Sequence, residues 1–199
     1  MRCAFAIPVV IAMTGSALAD PRYPDWPCAQ AKVPEISLAA VWAGPPLDDV
    51  AGKWKDHPGA ASLVAKLAAR RTPLEDANKA ITDYLGSAAD KTANGKLLFA
   101  GLFESLNAQR SQVMNGLERI TRKQRDAADR IRTDTLALQA LQGDAKNDPT
   151  KIDELGNQLT WQTRIFEDRR RVIKFVCEVP TAIDQRLFAL GRTIQQEIE

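Results

Sequence analysis

The sequence predicts an all-α protein: a long antiparallel helical hairpin, coiled-coil-like, packed with shorter helices and preceded by an irregular Pro/Trp-rich strap. Three observations carry this. Apolar residues recur at heptad spacing from residue 103 to 141 and again from 152 to 176. The turn-forming run GDAKNDP, residues 143–149, lies between them. Nine of the eleven prolines fall before residue 74, and three of the four tryptophans, Trp26, Trp42 and Trp54, before residue 55. No segment has the alternation of a half-buried strand.

Residues 1–19 read as a secretory signal peptide. Arg2 supplies the positive start, Ala4 to Met13 the apolar run, and Ala17-Leu18-Ala19 the small-x-small cleavage site. The apolar run is too short to anchor in a bilayer, and Pro8 interrupts it. The expected mature chain starts near Asp20 in an oxidising, exported compartment; the alanine-rich composition points to a bacterial periplasm. No later stretch is long and apolar enough for a transmembrane segment. Losing Arg2 leaves 26 basic against 25 acidic residues, so no global field calls for nucleic acid or an anionic membrane.

The strap, residues 20–57, holds Pro21, Pro24, Pro27, Pro34, Pro45 and Pro46, which keep it out of regular helix. A short helical turn is expected at residues 36–41. Ile36, Leu38, Val41, Trp42, Leu47, Val50 and Trp54 are too apolar for a disordered linker, so the strap should pack on the bundle. An exposed aromatic docking surface of Trp26, Trp42 and Trp54 is the competing reading.

The helical domain is placed at residues 58–199. A first helix is predicted over 58–70, with Leu63, Val64 and Leu67 as its stripe. Thr72, Pro73 and Glu75 have the layout of a capping box for the next helix, which should stop at Gly86. The hairpin spans about 96–176. Its first arm, 96–142, sets Phe103, Leu117, Ile131 and Leu138 in one seam position and Leu106, Val113, Ile120 and Leu141 in the other. Its second arm carries Ile152, Leu159, Phe166 and Ile173 with Leu155 and Val176. Folding it about residues 145 and 146 makes facing residue numbers sum to about 290. Arg110, Gln124, Asp134, Gln162 and Arg169 break the seams and read as register-setting residues. Pro180 should end or kink the second arm, and Ile183, Leu187, Leu190, Ile194 and Ile198 mark a final amphipathic helix.

Cys28 and Cys177 are the two cysteines beyond the signal segment. In an oxidising compartment such a pair is expected to form a disulfide; no C-x-x-C motif or nearby histidine points to redox or metal chemistry. The link would close 149 residues of chain, worth about 5 kcal/mol in the chain-entropy account.

Arg119, Arg122, Lys123 and Arg125 on the first arm and Arg169, Arg170, Arg171 and Lys174 on the second meet at one height of the folded hairpin. They form a candidate patch for an anionic partner. The preferred reading is a solvated face, with Arg122 near Asp168, Lys123 near Glu167, and Glu118 and Asp126 neutralising the rest. His57 is the lone histidine, and Asp48, Asp49 and Asp56 lack the spacing of a cation-binding loop. Hydrolase, metalloprotease, phosphate-loop and dinucleotide motifs are absent, and no cofactor or metal is expected.

The sequence therefore leads to a non-catalytic exported binding or adaptor protein acting through protein contacts. A small-ligand or cation binder, and an enzyme with a carboxylate-only site, are the alternatives. A heptad pattern specifies helix contacts without saying whose helix supplies them, so a hetero-partner and a homo-oligomer both stay open.

Overall fold

The computed structural model describes residues 21–199 except 145 and 147. The predicted signal segment lies outside the described residues, as do two residues of the predicted turn. Six α-helices are described: α1 (Leu38–Val41), α2 (Pro58–Ala68), α3 (Leu74–Gly86), α4 (Lys91–Gly143), α5 (Pro149–Val176) and α6 (Val179–Ile198). A 3-10 turn, Lys53–Asp56, precedes α2, and there is no strand among the described residues. The fold is all-α.

Helix α4 organises everything else. At 1.5 Å per residue its 53 residues extend about 80 Å. Its first half is a core helix. Leu98, Phe99, Leu102 and Leu106 are buried against Val64 and Leu67 of α2, Ile81 and Leu85 of α3, and Ile183, Leu187, Leu190 and Ile194 of α6. Its second half leaves this bundle and pairs with α5. No residue of α5 is fully buried, because it has one long neighbour where the bundle helices have several.

Helix α4 starts at Lys91, five residues before the sequence expectation. Asp90 is its cap, its carboxylate accepting from Ala93 N at 2.9 Å. Asp148 does the same for α5, accepting from Thr150 N at 3.1 Å with Pro149 in the first turn. The capping box expected at Thr72 is corrected. The Thr72 hydroxyl donates to the Lys66 carbonyl at 2.9 Å, and α3 begins at Leu74 behind Pro73 with no side-chain cap. Thr72 thus closes the end of α2, where the buried Arg186 also donates, from Nε to Leu67 O at 2.8 Å. The last carbonyls of α2 take these side-chain donors because no helical N–H follows them.

Trp42 stacks on Phe99 with ring centroids 4.2 Å apart, and Val41, Leu47 and Val50 complete the strap's contribution to the core. Two glycines let the layers close. A Cβ on Gly191 would lie 2.8 Å from both Phe99 and the Val41 carbonyl. One on Gly101 would lie 2.7 Å from Val64.

Candidate functional site

Cys28 and Cys177 form a disulfide with Cα atoms 5.5 Å apart. It fixes the strap beside the end of α5, and the Gln30 side chain donates to the Cys177 carbonyl there. From that point the strap runs along one side of α4. Asp25 binds Arg122 at 2.8 Å and Arg125 at 2.6 Å. Lys32 pairs with Glu118. Arg110, with a side chain only 4% exposed, sends Nη1 to the Val33 carbonyl at 2.7 Å, while its Nε lies 2.8 Å from Asp184 Oδ1 on α6. Further along, Asp49 pairs with Lys96, and Glu104 accepts from Trp54 Nε1 at 2.7 Å and from Lys55.

These contacts set the titration of four carboxyls. Asp25 is held below the ordinary carboxylate range, first by its hydrogen bond to Arg122. Asp49 is lowered by Lys96, and Glu104 by Lys55 and then Trp54. Asp184 moves the other way, because burial raises it more than Arg110 lowers it.

The arms meet in the folded register the heptads imply. Gln124 Nε2 donates to the Phe166 carbonyl at 3.0 Å, and those numbers sum to 290. Asp134 Oδ2 accepts from Gln162 at 3.1 Å and Gln158 at 3.3 Å. Gln124, Asp134 and Gln162 thus tie the two arms at specific layers; Arg110 instead ties α4 to the strap and α6, and Arg169 is exposed with no ion pair among the described residues, so neither sets the register of the arms.

The basic cluster is divided by the fold. Arg122 is neutralised by Asp25 of the strap, not by Asp168 as the sequence suggested, and Arg125 joins it. Arg170 pairs with Glu167 and Arg171 with Asp168, each within one turn of α5. Glu118 is occupied by Lys32. Arg119, Lys123, Arg169 and Lys174 have no ion pair among the described residues.

The aromatic docking surface is also corrected. Trp42 is buried on Phe99, and its Nε1 donates to the Pro45 carbonyl at 2.8 Å. Trp54 is half-buried and held by Glu104. Trp26 is half-buried and donates to the Gln30 carbonyl at 2.7 Å. Standing 16 and 12 residues apart, they serve different parts of the strap. His57 is the exposed N-cap residue of α2, but its side chain makes no capping hydrogen bond. Asp49 is taken by Lys96, and no group of three His, Cys, Asp or Glu converges among the described residues.

An apolar stripe that the sequence reading passed over occupies the other side of α5. Trp161 is 62% exposed, Val172 57% and Phe175 72%, with Ile165 between them. Their spacings of four, seven and three residues are a second heptad register, about 120° round the helix from the seam that faces α4. That spacing was the available signal. Beside the stripe, between the two arms, runs a largely apolar furrow of about 440 Å³ lined by Val113, Gly116, Leu117 and Ile120 of α4 and Val172, Ile173 and Val176 of α5, with Asp168 and Arg169 also on its wall. A smaller stretch, about 180 Å³, continues it past Ala127, Arg130, Ile131, Ile165 and Arg169. A second concavity, about 640 Å³, lies between strap and α4, walled by Leu38, Trp42, Leu47 and Phe103.

Among the described residues, no helix is long and apolar enough to cross a membrane. Comparison with models of protein families, with curated proteins and with solved structures gives no match, so the site rests on its own geometry.

Proposed function

We propose that this chain is an exported, periplasmic, non-catalytic adaptor that works through protein–protein contacts made by its hairpin. The observation that carries the reading is the uncovered stripe of Trp161, Ile165, Val172 and Phe175 beside an apolar furrow. Large contiguous apolar surface on a folded protein marks an interaction site, because water leaves it at about 25 cal/mol per Å² when a partner covers it. The hairpin is well built to present such a surface. Its base is locked by the core and the disulfide, and its polar layers fix the register of the arms. Export is supported by the N-terminal layout of residues 1–19 and by the pairing of Cys28 with Cys177.

The test is photo-crosslinking in the native exported extract. A photoreactive residue is placed at position 161, 172 or 175, with position 129 on another face of α4 as control. Adducts to one protein from the three stripe positions and none from the control are expected. No adduct from any stripe position, or substrate turnover by the purified chain, would overturn the reading.

A further inference from the structure

We infer that the hairpin face takes an acidic amphipathic α-helix, which lies along the furrow and completes a three-helix coiled coil. This rests on the adaptor reading and names the partner's chemistry. The shape comes first. From Trp161 to Val176 the face is about 24 Å long, which matches four turns of helix. Its apolar elements follow heptad spacing, the spacing that a third helix's own seam would match. An elongated furrow between two paired helices receives a rod, whereas a lipid surface is flat.

The charge comes second. Five cations border the apolar surface, and none has an ion pair among the described residues. Arg169 lines both stretches of the furrow and Arg130 the smaller one. Arg164 lies over the Trp161 ring at 5.8 Å. The Arg119 guanidinium comes within 3.9 Å of where a Gly116 side chain would start. Lys123 sits one turn from both Ile120 and Ala127. Asp168 is the one carboxylate lining the furrow, and Arg171 already neutralises it. Against these five cations one carboxylate in the same stretch of α4, Asp126, has no ion pair among the described residues, so the unmatched charge is net positive, and a partner helix with Asp or Glu beside its seam complements it.

The same residues disfavour other occupants. Arg164 and Arg171 border one edge of the stripe and Arg169 the other. A parallel second copy would set Arg164 against Arg169, and an antiparallel one would set Arg164 against Arg171. An anionic bilayer would have to accept the Asp168–Arg171 ion pair within the inserted stripe.

The experiment uses the disulfide-bonded mature chain and two synthetic 18-residue peptides. Both carry Leu at a and d; one has Glu at e and g, the other Lys. Binding is followed by fluorescence anisotropy at low and physiological salt. The Glu peptide is expected to bind at least tenfold tighter than the Lys peptide, with the preference shrinking as salt rises. R164E and R169E together, both exposed, should reverse the order, and V172D with F175D should abolish binding of either. Circular dichroism of each variant confirms that it folds. Equal affinity, tighter binding of the Lys peptide, or no binding by the folded chain overturns the inference. So does sedimentation as a dimer disrupted by V172D and F175D, or docking on anionic vesicles with a blue shift of Trp161. A crosslinked partner that lacks an acidic amphipathic helix leaves the adaptor reading standing and removes this one; no crosslink at the face removes the adaptor reading itself.

Discussion

Replacing Arg110 with Met tests how much a buried charge adds to the disulfide, surface ion pairs and apolar contacts that hold the strap. Arg110 joins three parts of the molecule: the strap through the Val33 carbonyl at 2.7 Å, α6 through Asp184 at 2.8 Å, and its own helix through Met114. A hydrogen bond to a charged group contributes about 1.5–3 kcal/mol. Breaking a buried ion pair costs about 3–5 kcal/mol when the remaining charge stays buried. Here the Asp184 side chain is 38% exposed and can recover water, and Met relieves the desolvation of the guanidinium. Arg110→Met should therefore destabilise by about 2–3 kcal/mol, near the lower end of those ranges. Asp184→Asn, which keeps the strap bond and removes a carboxylate whose charge burial already disfavours, should change stability by less than about 1 kcal/mol, and the double variant should lose less than the sum of the two single changes. Urea unfolding followed by circular dichroism measures all three. A loss under about 0.5 kcal/mol for Arg110→Met, or strict additivity, would refute the idea that this pair couples strap and α6.

Three further outcomes follow from the packing. Reducing the disulfide, or replacing Cys28 and Cys177 together with Ser, should lower stability by up to about 5 kcal/mol, read as a drop in urea midpoint; an unchanged midpoint would mean that the strap needs no covalent tie. Gly191→Ala should destabilise by about 1–3 kcal/mol because the new methyl meets Phe99 and the Val41 carbonyl, while Gly143→Ala, with open space around it, should unfold near the wild-type midpoint. Asp25, Asp49 and Glu104 have folded pKa values below their unfolded ones, so their contribution is present above about pH 5 and is lost as pH falls through the folded values. Asp184 is raised, so its contribution is lost as pH rises through its folded value. With three of the four carboxyls on the acid-labile side, thermal melts should fall on acidification below pH 5, and Asp25→Asn with Glu104→Gln should flatten that dependence.

What was legible in the sequence is what depends on near neighbours along the chain. The seams of α4 and α5 are set by residues three and four apart, and their folded register by the turn between them, so Gln124 opposite Phe166 was readable before any packing. Cys28 and Cys177 were readable as a pair by elimination, since no third cysteine follows residue 19, the end of the predicted signal segment. The stripe of Trp161, Ile165, Val172 and Phe175 was present in the pattern, but its exposure was not, because period alone does not say which of two seams a neighbour covers.

Only the tertiary structure decided the rest. Arg122 and Arg125 turn to Asp25, about a hundred residues away, because the disulfide lays the strap along their side of α4. Trp42 is core while Trp161 is surface, although the two are the same residue type. One meets Phe99 across the bundle, and the other lies on an arm with a single neighbour. Gly191 and Gly101 were unremarkable letters in helical stretches until close approach of Val41 and Val64 excluded a side chain there. Helix periods are local and repeat along the chain; close approach, ion pairing and exposure depend on which distant surface arrives, and that is settled when the layers pack.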